Sequence, residues 1–334
     1  MKHFNAKIKE YLKNKIHIFN RGRLMTENHQ QTNKFDNIEI NINLIKNNVL
    51  KNKTNLHRYL FPKFNLFLKI FFRAINISKE FTYSYIFTDW FNEFKDFWTQ
   101  NLQGRPIDII DFHFLRLSYR TKFQNVKHTN ETDKDEYLKA WNLNECIYLL
   151  FGSVWINAKS SYLDLLHYYF RLPKRGKVLE YGCGIAPFTT GMLKYFPSKK
   201  YDFEIVDILQ INFLYAIYRL SNKPNVSYRI LDPQNNLAYK NNYSAIICKT
   251  VLKHIPNPLE VVKSFHNALK NNGILIFDFI KGDGDGLDSK QSVHEREETL
   301  KFIIKNFKII KGHINIKKNV NLCIAKKMNN LASK

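Results

Sequence analysis

The 334-residue chain predicts an α/β fold: a mostly parallel seven-stranded sheet with helices on both faces, preceded by a mainly helical N-terminal region. Three observations lead to it. Short apolar runs alternate with helical segments between residues 177 and 280, the first of these runs enters a glycine turn in "KVLEYGCGIAPFTTGM", and two more β-rich runs close the chain. Strand and helix in alternation build parallel sheets, because each crossover helix packs back onto one face.

In chain order, residues 1–55 are rich in Lys and Asn with scattered Ile, Leu and Phe, and read as a basic extension with no sustained period. Residues 56–172 read as the helical region that contributes to an acceptor pocket. Within it, "YLFPKFNLFLKIFF" (59–72) is interrupted by Lys63 and Lys69, and so is too short and too charged to span a bilayer. It suits peripheral contact with a membrane as a basic amphipathic helix, or packing on its own domain. Trp90, Phe91, Phe94, Phe97 and Trp98 recur at helical spacing and predict an aromatic helix face that serves the core, with a substrate-stacking surface as the other reading. A polar stretch at 125–136 reads as a linker, and helices follow through "YLKAWNLNECIYLLF" and "SSYLDLLHYYFRL". Pro173 and Gly176 then mark the start of a sheet domain over 173–334.

Five strands are expected in "KVLEYG", "YDFEIVDI", "VSYRILDP", "YSAIICKT" and "GILIFDFI". The last two runs, "FKIIKGHI" and "NLCIAKKM", are joined by a hairpin-like link, so an antiparallel strand is expected to finish the sheet.

An apolar content of 44% is enough to bury a core. The formal charge of +23 favours association with polyanions or acidic metabolites but says nothing about fold. The cysteines, Cys146, Cys183, Cys248 and Cys323, are far apart, with no C-x-x-C pair and no secretory h-region. No disulfide framework or metal cluster is expected, and a reducing, cytoplasmic location is.

The strand-to-turn segment defines the ligand question. Gly182 and Gly184 fit the start of the dinucleotide fingerprint G-x-G-x-x-G, while Pro187 stands where its last glycine would be. Glu180 lies just before the glycines. A pyrophosphate would be repelled by that carboxylate, whereas a ligand bearing an ammonium and a sulfonium would be attracted. Asp207 ends the second strand, where a carboxylate can accept from ribose hydroxyls. Asp232 ends the third, where one can accept from an adenine amino group. Acids at successive strand ends beside a glycine turn point to S-adenosylmethionine in place of NAD.

"VLEYGCGIAP" and "TVLKHIPNPLEVVKSFHNALKNNGILIFDF" resemble the first motif and the fourth-to-fifth strand segment of the class I S-adenosylmethionine-dependent methyltransferases, over about residues 175–328. The resemblance implies a Rossmann-like fold and methyl transfer with S-adenosylmethionine as cofactor. It implies that Glu180, Gly182 and Gly184 hold the methionine end, Asp207 the ribose, and Asp232 with Pro233 the surroundings of the adenine. Lys249 and Thr250 would then lie near the reactive methyl. Ala186 replaces a glycine common in the family, Ser244 an acid at the start of the fourth strand, and Lys253 an acid before His254.

Methyl transfer from a sulfonium is an in-line displacement that alignment alone can accelerate, so no conspicuous catalytic motif is required. For a hydroxyl acceptor, His254 is the candidate base, with packing as its other role. The segment "KGDGDGLDSKQSVHEREE" (281–298) has the glycines and polar groups of a substrate loop, with Asp283, Asp285, Asp288 and His294 as candidates, or is a plain exposed loop. Its spacing fits neither an EF-hand nor an H-E-x-x-H zinc site. The expected acceptor is a small molecule or a carbohydrate- or lipid-linked intermediate. Nucleic acid is the alternative, although "CKTV" at the fourth strand lacks an N-P-P-Y type of motif. A non-catalytic S-adenosylmethionine-binding protein is the reading outside enzymes.

Overall fold

In the computed structural model the described residues are 90–102, 104, 106–108, 111–112, 115–116, 147–158, 162–231, 242–280 and 289–328. The basic extension, the 59–72 segment, the 125–136 stretch, Asp232, and Asp283, Asp285 and Asp288 lie outside them. The chain divides into two compact units, Met1–Phe123 with Ile147–Ser161, and Gln124–Cys146 with Tyr162–Lys334.

In the first unit, helix α1 (Trp90–Asp96) runs into a π-helical turn (Phe97–Asn101), and α2 spans Ile147–Ala158. The aromatic spacing does serve a core. Trp90, Phe94, Phe97 and Trp98 are buried. The Phe94 ring meets Phe112 and Phe151 edge-on, each at 5.1 Å between centroids. Such edge-to-face pairs add about 0.5–1.5 kcal/mol beyond the area they bury.

The second unit holds the sheet. Its elements are α3 (Tyr162–Tyr169), β1 (Arg175–Tyr181), α4 (Pro187–Tyr195), β2 (Lys200–Asp207), α5 (Ile211–Leu220), β3 (Val226–Ile230), β4 (Tyr243–Cys248), α6 (Pro258–Ala268), β5 (Leu269–Phe279), α7 (Lys290–Asn306), β6 (Phe307–Lys311) and β7 (Val320–Lys327). The seven strands are ordered β3-β2-β1-β4-β5-β7-β6. β1 pairs in parallel with both β2 and β4, so the direction of winding reverses between β1 and β4. β7 runs antiparallel to both β5 and β6. The expected antiparallel strand is therefore one place in from the edge, and β6 forms the edge.

Alternation along each strand feeds two faces. Leu179, Ile246 and Leu275 join a core with Val262 and Phe265 of α6 and Leu300 and Ile303 of α7. Val178, Ala245 and Ile247 join one on the other face with Leu165 and Tyr168 of α3 and Phe188 and Met192 of α4. Each such large apolar side chain contributes roughly 1.5–3 kcal/mol when fully buried. α3 thus packs on the sheet. Close approach explains the pairing of α3 with α4: a Cβ on Gly191 would lie 2.5 Å from Leu165 Cδ1.

Two polar anchors complete the sheet. Arg296 of α7 is buried and donates to the carbonyls of Phe279 (3.3 Å), Lys318 (2.5 Å) and Ile316, tying the β6–β7 link to the end of β5. Glu204 of β2 accepts from Lys177 Nζ at 2.7 Å, Arg229 Nε at 3.1 Å and the Tyr243 hydroxyl at 2.9 Å, joining β1, β3 and β4. Burial pushes its pKa up, but the bonds from Lys177, Tyr243 and Arg229 outweigh burial and hold it below the usual carboxylate range. A carboxylate with a depressed folded pKa stabilises above its unfolded pKa and loses that effect as pH falls through the folded value. Glu204→Gln should therefore lower the urea-unfolding free energy at neutral pH by about 3 kcal/mol. The deficit should shrink once the wild-type carboxylate itself protonates in acid.

Candidate cofactor site

The reversal between β1 and β4 opens a crevice at the carboxyl ends of the strands, where ligands of open α/β sheets bind. The chain leaves β1 through Gly182 (φ 61°), Gly184 (φ 53°) and Ala186 (φ 53°), all left-handed. Gly182 has two reasons to lack a side chain, since its Cβ would stand 2.4 Å from Val251 Cγ2. Gly184 differs: no atom lies within 4 Å of a Cβ built there. Its turn is tight for the chain yet open on the outside.

Helix α4 begins with Pro187, which has no N–H, after Ala186, which has no side-chain acceptor. The next amides must find an acceptor elsewhere. Glu180 provides it: Oε1 accepts from Phe188 N at 3.1 Å and Oε2 from Thr189 N at 2.8 Å. The glutamate is only 4% exposed. Burial pushes its pKa up to about 7, against the lowering effect of bonds from Thr189 and Phe188 and of the Lys249 charge. Glu180 thus fixes the turn by capping the helix.

Asp207, at the end of β2, takes hold of the same turn from the other side. Oδ2 accepts from Gly184 N at 2.7 Å, and Oδ1 from Ile208 N at 2.8 Å and Gln210 Nε2 at 3.1 Å. It is 5% exposed, and burial pushes its pKa up to about 6. Oδ2 keeps room for one more donor. Gln210, 6% exposed, leaves its Oε1 buried without a donor. An unmet, buried acceptor thus belongs to the side chain that bonds Asp207.

β4 ends at Cys248 and is followed by Lys249 and Thr250. Thr250 has φ 58°, a left-handed conformation that costs a β-branched residue on the order of 1–2 kcal/mol. Asp278 of β5 holds it there, Oδ1 accepting from Thr250 N at 2.6 Å. Burial raises the Asp278 pKa, opposed by the Thr250 bond and by Lys249 and Lys253. For Lys249, burial alone would lower the pKa, but Tyr168, Asp278 and Glu180 together raise it and keep the ammonium charged. Its Nζ stands 5.7 Å from the Tyr168 ring centre. Asp278 and Gln210 were not among the candidates from sequence. The signal for Asp278 was available, as "IFDF" puts an acid at a strand end just as "IVDI" does.

The structure therefore brings Glu180, Gly182, Gly184, Asp207 and Lys249 together around the ends of β1, β2 and β4. His254 lies in a short 3₁₀ turn (Leu252–His254) just after β4, half-buried, with its N–H donating to Val251 O at 2.8 Å. His294 is not in a loop: it is exposed on the first turns of α7, whose cap, Ser289, donates its N–H to Lys253 O at 2.9 Å. Among the described residues no cluster of His, Cys, Asp and Glu could hold a metal, and no helix is long and apolar enough to cross a membrane.

A doubly wound sheet with a glycine turn and buried acids at its reversal point has the architecture in which open α/β sheets take ligands. Residues 154–315, just under half of the chain, match a family model described as a methyltransferase domain, in line with the resemblance to the class I S-adenosylmethionine-dependent methyltransferases. A tRNA U34 carboxymethyltransferase of Sulfurovum sp. is 26% identical over 54% of this chain and 56% of its own length. A malonyl-acyl-carrier-protein O-methyltransferase of Halalkalibacterium halodurans is 30% identical over 30% of this chain and 37% of its own. The chain thus spans only part of the length of the curated relatives it matches. A solved S-adenosylmethionine-dependent methyltransferase from Aquifex aeolicus is 14% identical with a TM-score of 0.39, covering 49% of this chain and 90% of its own.

The two glycines should respond differently to substitution. Gly184→Leu should leave a folded protein, losing about 1–2 kcal/mol for the left-handed conformation, yet should weaken S-adenosylmethionine binding at least tenfold in calorimetry. Gly182→Leu should instead lower the melting temperature far more, because it must displace Val251.

Proposed function

We propose that the chain is an S-adenosylmethionine-dependent methyltransferase whose cofactor lies across the Gly182–Gly184 turn. The observation that carries this reading is the pair of buried carboxylates, Glu180 and Asp207, at the edge of an open glycine turn, with no ion pair to either among the described residues. Keeping such groups ionised costs free energy that a cationic ligand offsets. The residues fit S-adenosylmethionine in three respects: the open space at Gly184, the negative field from Glu180 and Asp207, and the acceptor capacity left on Asp207 Oδ2 and Gln210 Oε1. They fit a dinucleotide badly, because a pyrophosphate seeks free amides at a helix N-terminus and Glu180 already occupies those of α4.

When bound, the cofactor supplies a methyl group on a sulfonium that leaves as a neutral thioether. The chain's own residues hold and orient. Asp207 fixes Gly184, Asp278 fixes Thr250, and Lys249 presents a positive charge beside the carboxyl end of β4. His254, one turn further on, is the group proposed to take a proton from a hydroxyl acceptor. Asp232 and the 281–288 segment with Asp283, Asp285 and Asp288 remain part of the proposed adenine and acceptor surroundings, and His294 of the acceptor side.

The acceptor from the sequence reading is a small molecule or a group linked to carbohydrate or lipid. A second reading, nucleic acid, is favoured by the charge of +23 and by the relative that is named for tRNA. Incubation with a labelled methyl donor and separate small-metabolite and RNA fractions distinguishes them by where the label appears.

The cofactor-binding reading has a pH signature. Carboxyls whose pKa is raised to about 7 and about 6 lose their charge as pH falls through those values, and with it their attraction for a cation. The affinity for S-adenosylmethionine should therefore drop at least tenfold between about pH 8 and pH 5.5. Glu180→Gln should flatten the upper part of that profile. A pH-independent affinity in the wild type would remove the electrostatic basis of the assignment.

A further inference from the structure

At the amino ends of β1 and β2, away from the glycine turn, cations from two links come together on the side of the sheet where the chain enters β1. Arg171, Lys174 and Arg175 come from the link between α3 and β1, and Lys199 and Lys200 from the turn between α4 and β2. Arg175 and Lys200 are direct register partners, so their backbones lie about 5 Å apart. Lys199 Nζ donates to Tyr169 O at 3.3 Å and lies 4.4 Å from the Tyr169 ring centre. Burial and the nearby Lys174 charge lower the Lys199 pKa, as expected where cations crowd.

The scaffold beneath is fixed. The Tyr201 hydroxyl donates to Pro173 O, Arg171 Nη1 donates to His167 O at 2.9 Å, and Tyr169 stacks on Phe196 at 4.3 Å. No carboxylate among the described residues pairs with Lys174, Arg175, Lys199 or Lys200, although Asp202 lies two residues along β2 from Lys200. Phe170, next in the chain to Arg171 and edge-on to the Tyr169 ring at 5.3 Å, is 74% exposed. A packing role does not explain an apolar ring so far out in solvent.

Cations without counter-charges, fixed on a rigid frame beside an exposed aromatic, match a strand that alternates phosphates and flat bases. A lipid surface would call for several apolar side chains to insert, and the patch offers one. An acidic protein would satisfy the cations but leave Phe170 without a flat partner.

We propose that this surface, formed by Phe170, Arg171, Lys174, Arg175, Lys199 and Lys200, docks single-stranded RNA. β1 is seven residues long, which puts the surface roughly 20 Å from the glycine turn. RNA bound there extends past the site without occupying the cofactor crevice. The inference deepens the nucleic-acid reading of the acceptor and rests on it, but binding is measured apart from methyl transfer, so each can fail alone.

The test is fluorescence anisotropy of the full chain with labelled single-stranded RNA of about 20 nucleotides across a salt series. Arg175→Glu with Lys200→Glu should weaken binding about tenfold or more and reduce the log–log salt slope by about 2. Phe170→Ala should weaken it at least about threefold with the slope unchanged. Lys308→Glu with Lys311→Glu on β6 makes the same charge change elsewhere and should alter affinity less than about twofold. S-adenosylmethionine affinity measured on every variant reports the cofactor site and the fold separately. Equal losses in the patch and β6 variants would overturn the proposal. So would tighter binding to single-stranded DNA of the same sequence, to phosphatidylglycerol vesicles or to an acidic carrier protein than to the RNA.

Discussion

The contact on which the site depends is the carboxylate of Glu180 lying on the amino end of α4. Pro187 removes one amide and Ala186 offers no acceptor, so two N–H groups turn to a side chain eight and nine residues upstream. This single arrangement fixes where β1 ends, how the turn passes, and where the helix points. It also settles the sign of the local field. The N-terminus of a helix is ordinarily an anion site. Here the protein supplies the anion itself, and what remains beside the turn is negative charge held out of water.

Asp207 repeats the device from β2, gripping Gly184 N while burial drives its own pKa upward. Asp278 does so from β5, stabilising a threonine in a conformation that threonine seldom adopts. Three strand ends thus each place an acid on a backbone amide of a neighbouring turn. Rigid turns and a cation-seeking crevice come from the same bonds. Lys249, whose ammonium is kept charged by Tyr168, Asp278 and Glu180, is the counterweight at the β4 side of the rim.

Much of this was legible in the residues. The seven strands, the glycine turn and the acids at β1 and β2 follow from short-range patterns of apolar alternation and from residue types that only strand ends use. The parts that were not legible are long-range. Nothing in "NLCIAKKM" says that its strand slips between β5 and β6, because the choice of neighbour is made by packing against β5. The helix at 162–169 looked like the last of the N-terminal helices, and only the packing of Leu165 and Tyr168 against Val178, Ala245 and Ile247 assigns it to the sheet. Asp278 read as part of an apolar strand, since its role depends on Thr250, 28 residues earlier in the chain. Glu180 was visible as charge, but its function as a cap was hidden by the distance between acceptor and helix.

The relatives that this chain resembles carry names with different acceptors, a tRNA and an acyl carrier protein. In the proposed cofactor crevice, two carboxyls whose pKa burial raises to about 7 and about 6 become ionised when a cation binds. Calorimetric titration of S-adenosylmethionine at about pH 6.5, in two buffers of different ionisation enthalpy, counts the protons exchanged. The account predicts net proton release that falls on Glu180→Gln substitution. Heats that are identical in the two buffers, with tight binding, would contradict it.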